Sequence, residues 1–170
     1  MTENEENVKR KKNPVITDDD KNTKMHYFAA EGNISELTEE IKIYQKIDPE
    51  NYLGWTPLLM ACRNGHKAAV NLLLQHHADA TKKNKFGMSV FLVSIASGDL
   101  ELVHQILQHL LCGGVSRQSL QHIFSPISLA ILFCHQHILQ YLISQNFAIN
   151  IATHITGVTP IMFAAAYGKL

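Results

Sequence analysis

The stretch Gly54-Trp55-Thr56-Pro57-Leu58-Leu59-Met60-Ala61-Cys62-Arg63-Asn64-Gly65-His66 reads as a short helix with both ends marked. The Thr56 hydroxyl can accept a hydrogen bond from the first turn, and Pro57 falls at the first helical position, where a missing N–H costs nothing. Gly65 then permits a tight reversal. Lys67 to Gln75 continues as a second helix with Val70, Leu73 and Leu74 on one face, and Ala78-Asp79-Ala80 closes the unit. A helix pair this short cannot bury its own apolar face, so it needs neighbours of the same kind.

Those neighbours are present on both sides. Gly32, Gly65 and Gly98 fall 33 residues apart, as do Thr23, Thr56 and Ser89, and Gly54 and Gly87. Gly168 sits in the same local setting further on. The third unit is Gly87-Met88-Ser89-Val90-Phe91-Leu92-Val93-Ser94, then Gly98-Asp99-Leu100, with Val103, Ile106 and Leu107 as the buried face of its second helix. The fourth starts at Ser125-Pro126-Ile127-Ser128-Leu129-Ala130 and has Leu139, Leu142 and Ile143 as its core face, with Cys134 in place of the turn glycine. Ser125 follows Ser89 by 36 residues, and the surplus falls in Leu111 to Arg117, expected as a longer flexible connection. A fifth unit opens at Gly157-Val158-Thr159-Pro160-Ile161-Met162-Phe163-Ala164-Ala165 and stops at Leu170, the first core position of its second helix. The first unit, Thr23-Lys24-Met25-His26-Tyr27-Phe28-Ala29 with Gly32-Asn33-Ile34, is degenerate, as suits a terminal unit with one neighbour.

In phase over residues 23–170, these units resemble the ankyrin repeat family, whose pattern is G-x-T-P-L-H-x-A-A-x-x-G-H followed by a V-x-x-L-L helix. Gly-Trp-Thr-Pro-Leu at 54–58 and Thr-Pro-Ile-Met at 159–162 are also similar to ankyrin proteins that carry a SAM domain. The resemblance implies an all-α repeat solenoid of stacked helix-turn-helix units with projecting β-hairpin-like loops. The expected divisions are a disordered charged tail over 1–22, repeats over about 23–53, 54–86, 87–122 and 123–156, and an incomplete repeat over 157–170. Ile161, Met162 and Phe163 are then expected at an open end, as in a fragment or short isoform of a longer protein.

Composition narrows the function classes. Formal net charge is zero, so no global basic excess points to nucleic acid. Residues 1–22 hold six acids and five bases with few apolar residues, too little to offset the entropy of ordering. The first residues have no apolar stretch behind them, so no signal peptide is expected, and the apolar stretch Ile127 to Cys134, interrupted by Ser128, is far short of the ~20 residues of a membrane span. Cys62, Cys112 and Cys134, without an export signal, suit a reducing compartment. A cytoplasmic location is expected, with a nuclear one open through Lys9-Arg10-Lys11-Lys12. That run is otherwise a solvated charge cluster in the tail, and the acids beside it weigh against nucleic-acid binding.

Partner contact is the function the resemblance implies. In the family, partners meet the hairpin tips and the exposed faces of the first helices. Carried over by position, this assigns Tyr52, Leu53, Trp55, Arg63 and Asn64 in the second unit and Lys85, Phe86, Met88, Ala96 and Ser97 in the third. Aromatic residues, Met and Arg are enriched at protein interfaces. Trp55 and Phe86 have two roles open to them, bracing neighbouring hairpins or meeting a partner.

No enzyme is expected, because nucleophile elbow, phosphate-cradling loop and metalloprotease motifs are all missing. Cys62 stands where the pattern has a small buried alanine and reads as inert core. His104, His109, Cys112, His122, Cys134, His135 and His137 crowd one region without paired-ligand spacing, so neither metal nor cofactor is expected. His66 and His135 occupy the family's turn position, where the imidazole meets backbone. From Leu102 to Gly168 only Arg117 is formally charged, and six histidines supply titratable groups near pH ~6.5. The readings left standing are a scaffold or adaptor segment and a regulatory or targeting arm of a larger protein, enzymatic or otherwise.

Overall fold

The computed structural model describes residues 17–44, 46–121, 125–150, 157–166 and 168. The expected tail over 1–16, with Lys9 to Lys12, lies outside the described residues, as do His122, His154 and Leu170, and so does the Phe163 side chain.

Helices alternate between two layers. The first helices are α1 (Lys24–Glu31), α3 (Pro57–Arg63), α5 (Val90–Ser97), α7 (Pro126–Leu132) and α9 (Pro160–Ala166); the second are α2 (Ile34–Ile43), α4 (Lys67–Gln75), α6 (Leu100–Cys112) and α8 (Gln136–Ser144). Each described pair packs together, and each first helix packs on the next first helix, so the core runs continuously through the stack. Leu58, Leu59, Leu73, Phe91, Ile95, Ile106 and Ile127 are fully buried between layers. Each such side chain contributes roughly 1.5–3 kcal/mol.

Local chemistry sets the helix starts. The hydroxyls of Thr56, Ser89 and Ser125 accept from the amides of Leu59, Leu92 and Ser128, each at 3.3 Å. Pro57 and Pro126 follow their caps, while Val90 serves at the same place in α5. Two turn glycines answer a double demand. Gly32 and Gly98 have φ of 71° and 83°, and an added Cβ would lie 2.6 Å from His66 Nδ1 or 2.7 Å from His135 Cε1 of the next unit. His66 donates from Nε2 to the Ala30 carbonyl at 3.0 Å, and His135 faces that of Ala96 at 3.4 Å. These two turn histidines thus tie the second unit to the first and the fourth to the third.

Cys134 takes the same left-handed conformation, at φ 59°, without being glycine. The side chain is exposed. Cys134→Gly is expected to relieve about 1–2 kcal/mol of backbone strain, partly offset by a more flexible unfolded chain. A gain of up to ~1 kcal/mol in a urea titration checks this; a loss would contradict it.

Several expectations are corrected. Residues 17–22, counted with the tail, form the first hairpin tip: Thr17 bridges Thr23, and the Tyr52 amide donates to the Asp20 carbonyl at 2.9 Å. The surplus after Leu110 is not a loose loop. Instead α6 runs for 13 residues against nine in α4 and α8, and a 3-10 helix follows over Gln118–Gln121. At the end of α6, Gly114 adopts φ 83° and the Val115 amide donates back to the Leu110 carbonyl at 3.0 Å. In α8 the core face is Ile138 and Leu142, with Leu139 half-buried and Ile143 42% exposed. No described second helix follows α8 to cover Ile143. Ile161 and Met162 are exposed, as the repeat pattern expects.

Candidate functional site: the hairpin tips and first-helix faces

Each tip is shaped by an acceptor at a fixed place. Asp18, Asn51 and Asn84, 33 residues apart, accept through side-chain oxygens from the amides of Asn22, Trp55 and Met88 at 2.6, 2.9 and 3.0 Å. Asn51 and Asn84 also accept from Leu53 and Phe86 two residues on, each at 3.0 Å. Such side-chain turns replace backbone pairing and fix the loop. The residue before the closing amide then needs a positive φ, met by Gly54 and Gly87 at 76° and 77° and by Lys21 at 62°. At Asp18, hydrogen bonds from Tyr27 and Asn22 hold the carboxyl down at about 2.

Backbone bonds then join the tips into a row. The Tyr52 amide reaches the Asp20 carbonyl, and one unit on the Lys85 amide reaches the Leu53 carbonyl, both at 2.9 Å. Asn51 Nδ2 adds a bond to Asn22 Oδ1 at 2.8 Å. Side chains at the crest are left outward, with Tyr52 50%, Leu53 49% and Phe86 59% exposed. The Lys21 ammonium lies 4.6 Å from the Tyr52 ring centre, and Lys85 is exposed beside Phe86.

The other assigned residues divide by packing. Trp55 is half-buried against the core, and its ring carries the Arg63 guanidinium at 5.5 Å, worth about 0.5–1 kcal/mol at an exposed site. Met88 is likewise half-buried. Bracing is therefore what Trp55 does in the fold, while Phe86 keeps its ring in solvent. Asn64 is exposed but uses Nδ2 to bind the Ala30 carbonyl at 2.6 Å, the same oxygen that His66 contacts. Ala96 and Ser97 are half-buried, and the Ser97 hydroxyl donates to the Ser94 carbonyl at 2.7 Å. The ten positions share one side of the stack, in the tips and α3 and α5, but only Tyr52, Leu53, Arg63, Asn64, Lys85 and Phe86 are exposed.

Two exposed rings on the first-helix side went unassigned, Tyr27 at 47% and Phe133 at 46%. Counting from the turn residue places Phe133 level with Asn64 and Ser97, so its position was readable. Tyr27 stands level with Met60 and Val93, and the degenerate first unit hid it.

The Cys62 side chain is buried, and burial pushes its thiol far above the usual range, as inert core requires. Among the described residues no three His, Cys, Asp or Glu side chains gather closely enough to hold a metal ion. No helix among them is long and apolar enough to cross a membrane.

A family model described as "Ankyrin repeats (3 copies)" matches residues 4–85. Ankyrin repeat domain-containing protein 13B of Mus musculus and that of Homo sapiens are each 33% identical over 89 residues, covering 50% of this chain and 14% of theirs. Probable E3 ubiquitin-protein ligase XBOS33 of Oryza sativa subsp. japonica is 33% identical over 61 residues, covering 36% of this chain and 12% of its own. The chain thus matches only a small fraction of each relative's length. Beyond Lys85 the repeat assignment rests on the helix pairs and caps that continue through α9.

Proposed function

The chain carries ankyrin repeats, and from that premise we propose that it is a scaffold or adaptor module that binds another protein through its hairpin tips and first-helix faces. The observation that supports this reading is the crest of Tyr52, Leu53 and Phe86, held outward on tips that backbone bonds lock in line. A preordered row of exposed aromatic and aliphatic side chains binds without the entropic cost of ordering loops. The module acts without catalysis of its own, in the cytoplasm, with nuclear entry through Lys9 to Lys12 as a further possibility to test by imaging. A second reading, a regulatory or targeting arm of a larger protein, draws support from relatives far longer than the matched stretch.

Tyr52→Ala combined with Phe86→Ala separates binding from folding better than any change at the half-buried Trp55. Affinity for a partner captured by the wild-type chain is expected to fall about tenfold or more, since truncated aromatic anchors often cost over about 1 kcal/mol each. The melting temperature should move little, because both rings are at least half exposed. Unchanged capture by the double variant removes the tip row from the interface.

A further inference from the structure

The insertion between the third and fourth units frames a cleft. Where Ser125 follows Ser89 by 36 residues in place of 33, the extended end of α6 and the 3-10 helix wall off a cleft of about 230 Å3 against the third hairpin. Leu92 and Leu110, both buried, line it with the half-buried Val115 and Leu120, while Ser119 and Lys83 supply polar edges. Small-molecule and cofactor sites enclose roughly 300–1,000 Å3. This cleft is smaller and open beside the tip, which suits a single inserted side chain.

Among the residues that line it, the one formal charge is that of Lys83. Lys82 is paired with Glu50, and the Asp79 carboxylate is taken up by the amide and hydroxyl of Thr81. Lys83 is exposed and has no ion-pair partner among the described residues. Lys85 stands exposed two residues further along the same hairpin. The insertion brings no acid to oppose them, because Arg117 is the only formally charged residue between Leu102 and Gly168. Apolar walls under a cationic edge complement an apolar residue flanked by carboxylates.

We propose that this cleft seats one apolar side chain of a partner's acidic segment, with the adjoining carboxylates meeting Lys83. The inference rests on the reading of the tips as a protein-binding row and extends that row from Phe86 into the insertion.

The test is selection of random peptides displayed on phage against the folded 170-residue chain, followed by fluorescence-polarisation titration of the enriched peptides. Wild type, Ser119→Trp, Lys83→Glu and the Tyr52→Ala/Phe86→Ala double variant are compared. Enriched peptides are expected to pair an apolar residue with neighbouring Asp or Glu. Ser119→Trp, which fills the cleft, should weaken them about tenfold, and Lys83→Glu about fivefold or more. Lys83 is exposed, so its variant decides the matter should Ser119→Trp melt early.

Enrichment without acidic neighbours, or affinity unmoved by both cleft variants, overturns the proposal. If that affinity is lost in the double tip variant, the tip row stands without the cleft. Losses confined to the cleft variants uphold the cleft and remove the tip row from this contact. A selection that yields no binder overturns both.

Discussion

Phe91→Ala is expected to lower folding stability by about 3–5 kcal/mol, the usual cost of emptying a phenyl site in a tight core. Phe91 is fully buried in α5, which packs on α3, α6 and α7 at once. Its ring also stacks on Phe147, with centres 5.5 Å apart and planes at 24°. Phe147 follows the end of α8, where Asn146 takes φ 61° and the Phe147 amide donates to the Leu142 carbonyl at 3.1 Å. One ring therefore ties the third unit to the far end of the fourth. Because a repeat stack holds together through nearest-neighbour interfaces, the loss should concentrate at this junction. Urea unfolding is expected to broaden or split as residues 125–150 release ahead of the earlier units. A Phe91→Ala/Phe147→Ala cycle should show coupling of about 0.5–1.5 kcal/mol beyond simple area loss. A cost below about 1 kcal/mol for Phe91→Ala alone would contradict this account.

Phe91 belongs to the part of the molecule that was readable from sequence. Helix starts follow from side chains adjacent in the chain, so Thr56, Ser89 and Ser125 could be assigned without knowing any neighbour. The 33-residue spacing then located buried positions such as Val103, Ile106 and Leu107. What stayed hidden depended on the next unit. Trp55 and Phe86 looked alike as tip aromatics, yet Trp55 has Arg63 and the core beside it while Phe86 does not. Ile143 carries the pattern of a core residue but has no described second helix over it. The first tip escaped because Lys21 does what Gly54 and Gly87 do elsewhere, and acids around it gave the stretch a tail's composition. The extension of α6 was missed for a different reason. Gly113-Gly114 reads as a break, whereas Leu110 and Leu111 keep the helical period up to it. The cleft had no local signal, since its walls come from segments some 30 residues apart.

His26 shows how a residue in the degenerate first unit carries that unit's attachment. It is 1% exposed, and its ring spans two units. Nε2 lies 2.9 Å from the Trp55 carbonyl and so donates to it, while Nδ1 accepts from the Thr23 amide at 3.0 Å. These partners require the neutral ring with its proton on Nε2. A second proton, on Nδ1, would lose the Thr23 N–H as a donor, with the Thr23 hydroxyl at 2.9 Å left to accept it. Burial is what holds the imidazole below its ordinary 6.5, against the opposite pull of the Trp55 carbonyl and the Asp18 charge.

The sign of the pH dependence follows. Above about pH 6.5 both folded and unfolded chains keep this ring neutral, and the full contribution is present. Below it the unfolded chain takes up a proton that the folded chain resists, so stability falls with pH toward the lower folded value. His26→Leu places in α1 the residue found at the equivalent positions Leu59 and Leu92, so helix and volume are largely kept. It strips the buried Thr23 amide of its ring acceptor, at about 1–3 kcal/mol for a group left unsatisfied, while the Trp55 carbonyl keeps the Asn51 amide at 3.1 Å. At pH 7.5 the variant is therefore expected to be about 1–3 kcal/mol less stable. On acidification the gap should narrow, because the variant lacks the proton that destabilises the wild type. Urea titrations of both proteins at pH 7.5, 6.5 and 5.5 measure it, and parallel losses would show that another group carries the pH dependence. Narrowing of the gap would identify His26 as the acid-sensitive fastening between the first tip, Trp55 and the row of exposed side chains beside it.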